Sequence, residues 1–152
     1  MAQSFYSDID ANRRINVTSS THFEAKGDIV YFGSGSTTQG ELCYLRSNGA
    51  WAATDADAVG TSGAVLLAIA LGTDPDVDGM LLRGMFTLDQ DGMTMGDELY
   101  IGANSQDGVS AGDITSLVPA GSADVVRVVG YCVGSEDGQI WFNPSNDFIL
   151  LA

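Results

Sequence analysis

Asp74-Pro75-Asp76-Val77-Asp78-Gly79 is the stretch of this chain whose residue types and spacing best match a metal loop. Alternate carboxylates in a D-x-D-x-D-G run can reach one calcium ion, and the glycine permits the sharp turn that gathers them. The match stops at the twelfth position, which is Met85 where a bidentate glutamate is required. The flanks also read as strands, where a calcium hand needs helices. A solvated acidic turn fits better than an ion site, and Asp74, Asp76 and Asp78 are the metal candidates that the sequence offers. Asp55, Asp57, Asp89 and Asp91 sit in similar loops and take the same reading.

The other chemistry-bearing residues stand alone. His22 is the only histidine, so a zinc site or a histidine-based triad would rest on it by itself, and a structural role is expected. Cys43 and Cys132 lie in separate apolar runs and form no CxxC pair, which removes support for zinc. Both read as buried free thiols made in a reducing cytoplasm, with a disulfide as the alternative. Arg83 and Arg127 fall inside apolar strands, where an unpaired charge is costly, so each is expected to pair with a carboxylate. That partner could lie within the chain or across a subunit boundary. Trp51 and Trp141 could form a carbohydrate platform, but core or interface anchors are the commoner use. Asn16-Val17-Thr18 spells a glycosylation sequon with no export signal before it. No catalytic residue, no cofactor and no resident metal are expected, and the chain does not read as an enzyme.

Composition narrows the partners. Twenty acidic against six basic residues give a net charge of −14, which argues against nucleic acid and against anionic membranes. Hydrophobic residues make up 45% of the chain, enough to bury a core and to argue against wholesale disorder. The longest apolar run, from Ala64 to Leu71, is far shorter than the roughly 20 residues needed to span a bilayer as a helix.

From Gly27 onward the pattern is β. Asp28–Phe32, Glu41–Leu45, Ala50–Ala52, Val65–Leu71, Met80–Leu88, Glu98–Ile101, Asp113–Leu117, Val125–Val133, Gln139–Phe142 and Phe148–Leu151 read as short strands. Asn48-Gly49 marks a hairpin, because both residues tolerate positive φ. Asp91-Gly92, Asp107-Gly108 and Asp137-Gly138 punctuate the later strands. Turns at intervals of roughly 8–12 residues predict an all-β, antiparallel sandwich or barrel with little helix. The runs at 65–71 and 125–133 are apolar on both faces, so the second face must be covered by loops or by other subunits. A homotrimer is the expected assembly.

Residues 1–26 differ from this domain, which occupies 27–152. They hold three of the six basic residues (Arg13, Arg14 and Lys26), and no glycine appears before Gly27. Such a segment cannot form a core alone and reads as an extended docking arm. Phe5, Tyr6, Ile9, Arg13, Arg14 and Ile15 are its expected partner contacts.

The order of motifs is also familiar. Gly27-Asp28-Ile29-Val30 is followed by Leu67–Gly72, Asp78–Gly84 and Gly96–Tyr100. Val126–Tyr131 and Ile140–Pro144 then complete the series. Over roughly residues 27–151 this pattern resembles small β-modules of virion proteins from marine tailed phages of the cyanophage type. Such modules are similar to head decoration (cement) proteins and to the distal knobs of tail fibres. The resemblance implies a structural role on the capsid surface after assembly in the host cytoplasm, with the major capsid protein as partner. It carries over no catalytic residue. A fibre knob normally follows a long stem, for which a Met1 start and a short arm leave no room. Decoration is therefore the first expectation, and a tail-fibre or receptor-binding knob that contacts the host surface is the alternative.

Overall fold

The computed structural model describes residues 22–89, 92–134 and 138–152. Phe5, Tyr6, Ile9, Arg13, Arg14 and Ile15 lie outside the described residues, as does Asp91. The described chain is all-β, dominated by one antiparallel sheet curled into a half-barrel.

Eleven strands follow in order: β1 (Ala25–Val30), β2 (Leu42–Leu45), β3 (Trp51–Ala53), β4 (Leu67–Ala70), β5 (Met80–Thr87), β6 (Glu98–Ile101), β7 (Ile114–Thr115), β8 (Val125–Val126), β9 (Val128–Cys132), β10 (Gln139–Phe142) and β11 (Ile149–Leu150). Among the described residues, two single-turn helices, α1 (Val59–Ser62) and α2 (Pro75–Asp78), interrupt the strands. The main sheet runs β3-β2-β4-β5-β10-β9-β6-β7 with β1 also paired to β5, while β8 and β11 form a small ribbon. The Asn48-Gly49 hairpin forms as expected: Gly49 takes φ +84°, Ala50 N donates to Asn48 Oδ1 at 3.1 Å, and Leu45 faces Trp51.

Alternation sets the core. Leu99 and Ile101 of β6, with Ile140 and Phe142 of β10, point into the main cluster alongside Leu42, Ile69, Leu81 and Phe86. Strand β4 is buried on both faces. Leu67 and Ile69 join the main core, while Ala68 and Ala70 join a second cluster with Cys43, Trp51 and Met80. The cover on that second face comes from this chain's own Trp51, which is 2% exposed and donates Nε1–H to the Phe32 carbonyl at 3.0 Å. The small alanines leave room for the indole. Gly33 lies against it at φ +92°, where a Cβ would sit 2.5 Å from Nε1. For β4, the coverage that an oligomer could have supplied is thus supplied within the chain.

Strand β1 starts before Gly27. Phe23 N donates to the Thr87 carbonyl at 2.7 Å, and its ring lies 6.4 Å from that of Phe86. Residues 23–26 are therefore already held against the edge of β5.

One irregularity shapes everything around β5. Its pairing with β1 slips between Asp28↔Arg83 and Ile29↔Leu81, leaving Leu82 as an extra residue. Leu81 and Phe86 both enter the main core although five residues apart, an odd spacing that an inserted residue reconciles with a period of two. Strand β1 occupies one edge of β5 along its length, so β4 and β10 must share the other. Strand β4 pairs at Met80–Leu81 and β10 at Gly84–Thr87, and the two part at the bulge. An open cleft of about 440 Å³ fills the fork between them.

Candidate docking surface

The acidic turn does not gather its carboxylates round a common point. Asp74 Oδ1 accepts from Asp76 N at 3.2 Å, and Asp78 Oδ2 accepts from Asp74 N at 2.9 Å. Asp74 caps α2, and Asp78 from the end of that turn holds the loop's own backbone. Asp55 and Asp57 do similar work, accepting from Asn104 N at 3.1 Å and Ser105 N at 2.9 Å to tie two loops together. Among the described residues, no group of three or more His, Cys, Asp or Glu side chains is arranged to hold a metal ion. His22 Nδ1 meets Asp89 Oδ1 at 2.8 Å, beside the point where Phe23 docks.

The two strand arginines diverge. Arg83 pairs with Asp28 at 3.5 Å across β1 and β5, as expected for a cation in an apolar run. Arg127 finds no such partner within the described chain. It is 4% exposed. Its Nε donates to Ser145 O at 2.7 Å, and Nη1 reaches Gly63 O at 2.5 Å, Val65 O at 3.0 Å and Ser62 O at 3.3 Å. Carbonyl dipoles at the end of α1 and in the loop after β10 take the place of a counter-ion. Burial lowers the guanidinium pKa. Cys43 and Cys132 are free and buried. Burial, reinforced by the adjacent Glu41, drives the Cys43 thiol far above its ordinary range, so it is neither a nucleophile nor a thiolate ligand.

What the fold does assemble is an outward strip on the face opposite the main core. Strand register places Lys26, Met85, Trp141, Tyr131 and Glu98 side by side across five strands. Tyr131 is 44% exposed, and Trp141 beside it is half-buried. The next step along β6 and β9 pairs Tyr100 with Val128. The Tyr100 hydroxyl donates to Glu98 Oε2 at 2.8 Å; partial burial, then that carboxylate, raises its pKa and keeps it a donor. Tyr100 and Val128 also line a groove of about 350 Å³ with Val126, Phe148 and Ile149. Ile149 continues it outward at 64% exposed.

Of the two tryptophans, then, Trp51 is core and Trp141 belongs to the surface. Tyr131, Tyr100 and Ile149 were not singled out from sequence. The usable signal was the clean alternation in 98–101 and 139–142, which aims every second side chain away from the core. No family model, no curated protein and no solved structure matches this chain.

Proposed function

We propose that this protein is a non-catalytic virion component, a capsid decoration (cement) protein that binds the major capsid protein shell. The observation that carries the reading is the outward strip. A domain of net charge −14 sets Trp141, Tyr131, Tyr100, Val128 and Ile149 on one connected surface. Tyr and Trp with few charges between them form the side-chain set enriched in protein interfaces, and aromatic anchors dominate their energetics. A copy that lays this strip over neighbouring capsid subunits makes shell opening expose the buried apolar area, at roughly 25 cal/mol per Å². Multiplied over many copies, modest contacts hold a shell closed. The residues before Phe23, with Phe5, Tyr6, Ile9, Arg13, Arg14 and Ile15, supply a second attachment as the arm.

Co-sedimentation with capsids that lack the protein tests the reading. Tyr131→Ser and Ile149→Ser are expected to weaken binding about thirtyfold, the size of a 2 kcal/mol hot-spot loss, without unfolding the domain. Deleting residues 2–20 should leave the domain folded and abolish attachment. If both surface variants decorate capsids like the parent, the strip is not the docking surface. The alternative, a tail-fibre or receptor-binding knob, draws support from the same aromatic row, because Trp141 and Tyr131 flanked by Lys26 and Glu98 also suit a host-surface ligand. Location on the particle separates the two.

A further inference from the structure

The fork between β4 and β10 holds a positive charge that the fold leaves half-used. Arg127 and Arg83 line the cleft together with Leu66, Leu82, Asn143 and Pro144. Arg127 spends Nε and Nη1 on carbonyls, whereas Nη2 makes no hydrogen bond among the described residues. Nη2 is thus a spare donor on a residue that lines the cleft. A buried guanidinium without a counter-ion, set among leucines and a proline, suits a ligand that presents a carboxylate beside an aliphatic group. Arg83 adds a second cation, already shared with Asp28.

This chain carries such a group itself. At the α2 turn, Val77 is 70% exposed, the most exposed of the large hydrophobic residues described. Its neighbour Asp76 uses its backbone N–H on Asp74, but its carboxylate accepts no hydrogen bond among the described residues. Asp76-Val77 is thus a free carboxylate next to an aliphatic knob. Knob and cleft lie at opposite ends of β4: the cleft at Leu66–Leu67, the turn beyond Ala70. Four strand residues span roughly 13 Å, so a copy cannot fill its own cleft with its own knob.

We infer that the Asp76-Val77 knob of one copy seats in the β4–β10 cleft of the next, with Asp76 on Arg127 Nη2 and Arg83 and Val77 against Leu66 and Leu82. The contact is heterologous, since each copy offers a different patch to each neighbour. Such contacts close into rings when the rotation allows, and a trimer is the ring expected from the sequence. The inference is independent of what the outward strip binds.

Mixing variants tests it. Asp76→Lys breaks the knob and Arg83→Glu breaks the cleft, both at exposed positions, and Leu66→Asp attacks the apolar wall. By analytical ultracentrifugation of the full chain at 10–200 µM, the parent should sediment as a concentration-dependent species larger than a monomer. Each variant alone should associate at least tenfold more weakly. An equimolar mixture of Asp76→Lys with Leu66→Asp should regain dimers, because one intact knob and one intact cleft remain. A parent that stays monomeric at 200 µM overturns the inference. So do variants that associate like the parent, or a mixture that stays as monomeric as its components.

Discussion

At the scale of single residues, Arg127 and Cys43 show how this fold handles buried polar groups. Arg127 ties three segments together by donating to four carbonyls. Arg127→Met should remove these donors, leaving Gly63 O with only its bond from Val65 N, and cost about 3 kcal/mol. Arg127→Lys should recover only part of the loss, because an ammonium cannot span the same fork of acceptors. Urea denaturation of the three proteins checks the order, and equal stabilities would show that the carbonyls find other donors. Cys43 makes a pH-dependent contribution. Its thiol pKa is raised by folding, so the unfolded chain gives up a proton first as pH rises past about 8.5. The associated stability is present below that pH and drains away above it, by up to ~1.4 kcal/mol per pH unit. Cys43→Ala should flatten the fall in unfolding free energy between pH 8.5 and 10. An unchanged slope would mean that the thiol ionises equally in both states.

At the scale of elements, glycines and register decide what sequence could and could not disclose. Gly27 faces Gly84 across β1 and β5, where a Cβ on Gly84 would lie 2.1 Å from the Lys26 carbonyl oxygen, with φ at +150°. Gly84→Ala should therefore lower the melting temperature by several degrees, corresponding to roughly 1–3 kcal/mol of backbone strain. An unaltered melting temperature would show that the two strands can move apart freely. Strands β6 and β10 were legible residue for residue because 98–101 and 139–142 alternate without exception. Strand β4 was legible as a doubly buried run, but not what covers it, since Trp51 reaches Ala68 and Ala70 only after the 48–49 hairpin folds back. The Leu82 bulge and the fork were not legible, because both are defined by which strands border β5 and not by any local pattern. The outward strip escaped for the same reason. Its members are brought together by the order β5-β10-β9-β6 and lie far apart along the chain.

At the scale of the whole molecule, two surfaces differ in chemistry. The knob and cleft join carboxylate to guanidinium and suit copies of one acidic chain, whose net repulsion selects against contacts lacking a cation. The outward strip is aromatic and aliphatic and suits a larger partner. In the proposed decoration role, one kind of contact arranges copies and the other binds the shell. The most direct measurement of that role is the number and position of copies on purified virions, by quantitative mass spectrometry combined with electron microscopy of labelled protein. Hundreds of copies spread over the head are the result predicted here. A few dozen copies or fewer, confined to the tail, would contradict decoration.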